Sequence, residues 1–98
     1  MSEKIQAISN QILPILKEAG VLKSSLFGSV VRGEADEKSD VDILVEFPAD
    51  KSLFDLIDLQ QKLSLVLKKK VDIGTYRSVK PILRDRIFKE QVQIYERQ

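Results

Sequence analysis

The sequence predicts an α/β domain of the α+β type, in which helices pack on a small mixed sheet of about three strands. Three segments repeat apolar residues at helical spacing, and short apolar runs with strand character lie between them, at 21–27, 41–47 and 70–74. The hydrophobic fraction of 43% and the charged fraction of 32% suit a globular chain. With 98 residues, we expect a single domain over 1–98.

The first half of the chain predicts a helix, two strands and one short helical turn. Isoleucines at helical spacing indicate a helix over 3–18 that Gly20 ends, with Pro14 expected to bend it. Gly28 breaks the first strand, and the residues after it have room for about one helical turn. A polar loop, 33–39, then leads to the second strand, which Pro48 stops.

The second half predicts a helix, a strand and a C-terminal helix. Ser52 followed three residues later by Asp55 resembles a capping box and begins the second long helix. The short strand 70–74 follows. Pro81 is suited to a first helical turn, and the C-terminal helix carries an apolar stripe of Ile82, Leu83, Ile87, Val92 and Ile94.

Composition narrows the chemistry that the chain can perform. Cys and His are both absent, which excludes thiolate or imidazole zinc sites, nucleophiles that depend on either residue, and disulfides. Oxygen ligands remain, and these suit Mg²⁺ or Mn²⁺. No apolar run is long enough to span a membrane, and the N-terminus lacks the layout of a signal peptide, so we expect a cytoplasmic protein.

The charge of the chain is unevenly distributed. Residues 1–61 hold six Lys or Arg and eleven Asp or Glu, whereas residues 62–98 hold ten and four. Arg77, Lys80 and Arg84 follow the third strand within this basic part. They are either a solvated face or a surface for pyrophosphate or an acidic partner, and the sequence leaves both open.

Three aspartates are placed to converge on one face of the sheet. Side chains alternate along a strand, so Asp40 and Asp42 share a face, and Asp72 occupies the matching phase of the third strand. At strand spacings, three carboxylates can surround a pair of divalent ions, whose charge would offset their repulsion. Alternatively, Asp40 ends a turn and the other two are exposed strand residues.

A glycine-serine step precedes these aspartates. Gly28 would let a phosphate approach the backbone, and Ser29 would donate its hydroxyl to that phosphate at the start of a helical turn. Alone, such a step is more often an ordinary turn. Its distance from the aspartates strengthens the phosphate interpretation.

The segment LFGSVVRGEADEKSDVDILVEF, residues 26–47, resembles the signature of the DNA polymerase beta-like nucleotidyltransferases, in their minimal bacterial and archaeal branch. The resemblance extends to Val71-Asp72-Ile73, where the third family carboxylate falls, and to the ending ILRDRIFKEQVQIY, which looks like the terminal helix of that branch. It implies the palm fold of that superfamily and covers nearly the whole chain.

The resemblance also implies roles for these residues. Asp40 and Asp42 would hold two Mg²⁺ ions with a nucleoside triphosphate, and Asp72 would hold the ion beside the attacking hydroxyl. Asp72, or a water beside it, would accept the proton. Gly28, Ser29 and nearby amides would bind the outer phosphates. Arg32 is expected to pair either with phosphate or with an acid of the following loop, such as Glu34 or Asp36.

Two classes of function follow from the resemblance. The first is an enzyme that transfers a nucleoside monophosphate, AMP from ATP, to a hydroxyl of a partner protein, as the antitoxin of a helical HEPN ribonuclease toxin. The second is a binding module that silences the toxin by contact alone. A second domain for small-molecule acceptors has no room in 98 residues. Direct nucleic-acid binding is not expected, and the nucleotide preference and a homo-oligomer stay open.

Overall fold

A computed structural model describes residues 3–33 and 39–97. The predicted loop 33–39 therefore lies mostly outside the described residues, as do Glu34 and Asp36. The elements in chain order are α1 (Glu3–Glu18), β1 (Lys23–Phe27), α2 (Ser29–Arg32), β2 (Val41–Glu46), α3 (Leu53–Leu67), β3 (Val71–Thr75), a 3-10 turn (Tyr76–Ser78), α4 (Pro81–Glu90) and β4 (Val92–Glu96).

The helices before β3 form where the sequence predicts them. α1 runs continuously through Pro14, and Gly20 follows its end at φ 80°. The capping box of α3 is present, with the Ser52 amide donating to the Asp55 carboxylate over 2.8 Å. Local sequence therefore sets where α1 ends and where α3 begins.

The strands form one sheet in the order β3-β2-β1-β4. β2 and β3 are parallel, and α3 connects them, whereas β1 runs antiparallel to both of its neighbours. The parallel pairing puts the first residues of β2 and β3 at the same end of the sheet. That end carries the aspartates predicted from the sequence.

The sheet has four strands, and the prediction of about three was wrong. The predicted C-terminal helix ends at Glu90, and Val92–Glu96 forms β4 on the outer edge of β1. Helical spacing of the apolar residues misled the prediction, because Val92 and Ile94 also alternate with a polar residue, as in a strand. Pairing with β1 supplies partners for backbone groups that would otherwise form an open edge.

One face of the sheet carries the hydrophobic core. α1 and α3 pack on it, and its buried side chains are Ile5, Ile8, Ile12, Leu16, Leu26, Val41, Ile43, Val45, Leu59, Leu63 and Val71, with Val21 and Val30 beside them. Leu26 and Ile43 are register partners at its centre, each fully buried. This face holds both long helices in place.

α4 packs loosely, in contrast to α1 and α3. None of its side chains is buried, and Ile82 is 88% exposed, so the part of the predicted apolar stripe that lies in α4 does not enter the core. Val92 and Ile94 of that stripe pack against the core from β4. Phe88 contacts the Tyr76 ring at a centroid distance of 6.2 Å. Among the described residues, no helix combines the length and the apolar character that crossing a membrane requires.

Candidate active site

Two aspartates lie side by side on the sheet face that is opposite to the core. Asp42 and Asp72 are register partners on the parallel strands β2 and β3, and Phe27 of β1 is the partner of Asp42 on its other side. Directly paired residues of adjacent strands point to the same face, so the two carboxylates are neighbours. The predicted convergence of Asp42 and Asp72 is therefore present in the sheet.

Asp42 occupies an electrostatically unfavourable position. Burial raises the pKa of its carboxyl above the ordinary value, and the charges of Asp72 and Asp40 raise it further, while Arg32 acts in the opposite direction. The ionised form of a carboxyl that is partly buried among like charges is destabilised unless a cation is present.

Asp40 lies just before β2 and is less enclosed. Its carboxylate is 3.9 Å from the Lys70 ammonium, a pair that is largely exposed. Within residues 3–33 and 39–97, no three acidic side chains are gathered closely enough to hold one metal ion together. The three aspartates thus face the same region, but their side chains are not closed around a common point.

Gly28 joins β1 to α2 directly beside Asp42. Its φ of 77° belongs to the region that favours glycine, and a Cβ built on it would collide with the Asp42 carboxylate. The carbonyl of Gly28 accepts the amides of Val31 and Arg32 at 3.1 Å each. The amides of Ser29 and Val30 precede the first bond of the hydrogen-bond ladder of α2.

Arg32 ends α2 and forms an ion pair that the sequence did not predict. One of its terminal nitrogens lies 3.2 Å from a carboxylate oxygen of Glu90, the last residue of α4. The other Glu90 oxygen lies 3.4 Å from Nε of Arg86. Two roles were predicted for Arg32, and the loop acids of one of them lie outside the described residues. The acidic partner Glu90 belongs to a segment that is distant in the sequence.

A second group of polar side chains, Ser25 and Tyr76, lies on the same face of the sheet. The Ser25 and Tyr76 hydroxyls are 2.7 Å apart, and the Lys23 ammonium lies 4.6 Å from the centre of the Tyr76 ring. Tyr76 also lines, with Arg77, a cleft of about 650 Å³ near the last residues of β2 and β3. This cleft is at the opposite end of these strands from Asp42 and Asp72.

Sequence reasoning missed Glu90 and Tyr76 as neighbours of the site. The alternation in Val92–Glu96 was the available signal for Glu90, because a strand there returns the end of α4 to β1. Tyr76 carried no such signal, since its contact with Ser25 spans 51 residues. Lys80 and Arg84 are exposed.

Comparison with known proteins identifies relatives over nearly the full chain. A family model described as polymerase beta, nucleotidyltransferase matches residues 10–98. A candidate protein adenylyltransferase of Methanocaldococcus jannaschii is 50% identical over 90 residues, which cover 92% of this chain and 97% of the relative. The protein adenylyltransferase MntA of Thermococcus cleftensis is 39% identical over 93 residues, covering 94% of each protein.

Solved structures show the same fold. A candidate minimal nucleotidyltransferase superposes with a TM-score of 0.79 at 36% identity over 92% of both chains. A toxin-antitoxin structure with AMP-PNP gives 0.78 at 27%, over 92% of this chain and 74% of that one. A tri-AMPylated HEPN toxin in complex with an MNT antitoxin, from Shewanella oneidensis, gives 0.72 at 25%, over 95% and 73%.

Proposed function

The chain belongs to the polymerase beta nucleotidyltransferase family and is a nucleotidyltransferase, and from this premise we propose that it transfers AMP from ATP to a hydroxyl of a HEPN-type toxin. The transfer would neutralise the toxin, so that the chain acts as its antitoxin. Residues 1–98 would serve as one domain for this reaction, and the acceptor surface would come from the toxin.

The adjacent carboxylates of Asp42 and Asp72 carry this proposal. Their register pairing and the raised pKa of Asp42 describe a group of like charges whose repulsion Arg32 offsets only in part. Such an arrangement costs stability, and it is typical of sites that bind a cation or exchange protons.

The donor set suits Mg²⁺, with Mn²⁺ as the other candidate. Asp40, Asp42 and Asp72 offer only carboxylate oxygens, which are the ligands that Mg²⁺ prefers, and we assign two ions to them. Bound there, the ions would supply charge stabilisation at the entering and leaving oxygens. The three carboxylates alone would leave ligand positions on the ions open, and the triphosphate would fill them. Calorimetry is therefore expected to show tighter ATP binding with Mg²⁺ than without it.

The turn after β1 is suited to the phosphates. The missing Cβ of Gly28 makes room for the Asp42 carboxylate, and Ser29 offers a hydroxyl and an amide at the start of α2. Arg32, one turn further, adds a cation that is suited to an outer phosphate. We assign these three residues to binding of the β- and γ-phosphates.

We assign proton transfer to Asp72. The acceptor oxygen would form a bond to the α-phosphorus while the bond to pyrophosphate breaks, and the proton of the hydroxyl would go to Asp72 or to a water beside it. Asp72 is exposed on an edge strand, where a second protein has access. A tyrosine hydroxyl is the favoured acceptor, because its length lets it reach an open site.

The relatives support the choice of partner. The names and descriptions of the similar proteins include protein adenylyltransferase, AMP-PNP and an AMPylated HEPN toxin. Added AMP would bring negative charge and bulk to the toxin, which would oppose the binding of anionic RNA.

Intact-protein mass spectrometry of the cognate toxin tests the proposal. After incubation with this chain, ATP and Mg²⁺, we expect added mass in whole AMP units, and none with Asp42→Asn. Toxin that is neutralised without added mass, and equally by Asp42→Asn, would replace the enzyme with the binding module that acts by contact alone.

A further inference from the structure

Glu90 lies at a helix end that disfavours it locally. It is the last residue of α4, where the partial negative charge of the helix C-terminus opposes an acid. Its partner within the helix, Arg86, stands four residues before it, which is the weaker order for such a pair. Local helix energetics therefore do not explain a glutamate at this position.

Tertiary structure places Glu90 next to the phosphate turn. Val92 is the register partner of Leu26, so the chain just before β4 runs beside the end of β1 and the start of α2. Arg32 lies there, and its amide donates to Gly28, whose missing Cβ makes room for the Asp42 carboxylate. Glu90 thus contacts Arg32, whose positive charge acts on Asp42.

Arg32 interacts with two groups of acids. Its charge acts on Asp42, and one of its terminal nitrogens lies 3.2 Å from the Glu90 carboxylate. Without the Glu90 carboxylate, the guanidinium would be attracted to the aspartates. It would then occupy carboxylate oxygens that a metal ion needs as ligands. The side chains of Arg32 and Glu90 are only 36% and 25% exposed, so solvent weakens this pair less than a fully exposed one.

From this geometry we propose that Glu90 is a positioning residue, which holds the Arg32 guanidinium off the aspartates and ready for an outer phosphate of the nucleotide. The inference rests on the proposed function and adds a residue to it. Glu90 itself does not contact the nucleotide and acts only through Arg32.

The test is a double-mutant cycle on binding, with Kd measured by calorimetry for Mg²⁺-ATP. Glu90→Gln keeps the shape and removes the charge, and we expect Kd to rise about three- to tenfold. Arg32→Gln is expected to weaken binding at least as much. Adding Glu90→Gln to Arg32→Gln should change Kd by no more than about twofold, because the second residue acts through the first.

Two further measurements separate positioning from a structural role. Inorganic triphosphate with Mg²⁺ should show the same loss for Glu90→Gln, since the nucleoside is not involved. The melting temperature of Glu90→Gln should be unchanged or slightly higher, because the charge is unfavourable at a helix C-terminus. Asp58→Asn, which breaks an exposed ion pair with Lys62 on α3, is the control and should leave Kd unchanged.

Several outcomes would overturn the inference. Equal or tighter triphosphate binding by Glu90→Gln would do so, as would a full loss that persists in the Arg32→Gln background or a large fall in melting temperature. If the native chain binds Mg²⁺-ATP and Glu90→Gln binds it equally, only the role of Glu90 fails. If the native chain binds no Mg²⁺-ATP, both this inference and the proposed function fail.

Discussion

The two faces of the sheet are built from the same strands and differ in charge and in how the helices pack on them. On the core face, Leu26 and Ile43 are fully buried under α1 and α3. On the opposite face, the neighbouring positions Asp42 and Asp72 hold charges that repel each other, and α4 buries no side chain. Strand alternation lets one segment, β2, serve both faces at once.

This difference teaches where stability and chemistry reside. The core face contributes most of the buried apolar area and therefore most of the free energy of folding. The aspartate face lowers that free energy by partly burying Asp42 among like charges. A change on the core face should therefore reduce stability and spare binding, and a change on the aspartate face should do the reverse.

The largest effect is expected from Asp42→Asn. The amide keeps the shape and removes the charge that a cation needs, so we expect transfer to fall by at least about a hundredfold. The melting temperature should be unchanged or slightly higher, since repulsion with Asp72 is removed. A transfer assay and a thermal melt measure the two halves, and a large fall in melting temperature would show that Asp42 is a structural residue.

Leu63→Ala is the corresponding change on the core face. Leu63 is fully buried, and we expect the free energy of unfolding to fall by about 2–5 kcal/mol. Leu65→Ala, two residues further and 79% exposed, is the matched control and should change it by less than about 0.5 kcal/mol. Denaturant unfolding measures both. Mg²⁺-ATP affinity below the melting transition should stay the same, and its loss would show that the two faces are coupled.

Gly28→Ala and Gly33→Ala separate backbone strain from contact with the site. Both glycines have positive φ, 77° and 75°, so each alanine should lower stability by about 1 kcal/mol. Only at Gly28 would the new Cβ collide with the Asp42 carboxylate, because among the described residues, chain neighbours aside, none lies within 4 Å of a Cβ at Gly33. We therefore expect Mg²⁺-ATP binding to be lost in Gly28→Ala and kept in Gly33→Ala, by calorimetry. Equal affinities would remove Gly28 from the phosphate site.

The smallest expected effect is a pH dependence of stability that Asp42 causes. Since its pKa is raised in the folded chain, the native state holds this proton more tightly than the unfolded state. The free energy of unfolding therefore falls as pH rises through the folded pKa. Asp42→Asn should gain stability over the native chain at neutral pH, by less than about 1 kcal/mol because solvent screens the group.

This gain should vanish as pH falls below the ordinary value of 3.8. Urea unfolding of both chains across the pH range, without metal, measures the difference. A gain that stays constant with pH would show that the charge of Asp42 is not its source.

Much of the site could be predicted because it lies within continuous sequence. Gly28, Ser29, Asp40 and Asp42 fall within one strand-turn-strand segment, and the phase of Asp72 in a short strand follows from alternation alone. Helix α3 was predictable for the same reason, since its capping box needs only Ser52 and Asp55. Roles in catalysis remain predictions for all of these residues.

The prediction failed for the C-terminal segment, whose structure depends on contacts with residues that are distant in the sequence. Val92–Glu96 is compatible with a helix or a strand by its own pattern, and pairing with β1 decides between them. The same pairing brings Glu90 to Arg32 across 58 residues, and the chain order gives no sign of that contact.

The sequence by itself determined which residues form the helices before β3, which strand positions face the core, and which acids share the other face. These follow from periods of 3.6 and 2 residues and from caps within one turn, all of which are short-range. Only the tertiary structure decided that the sheet has a fourth strand, that α4 stays outside the core, and that Arg32 forms an ion pair with Glu90. The physical reason is that backbone pairing and ion pairing depend on distance in space, which the order of residues along the chain does not contain.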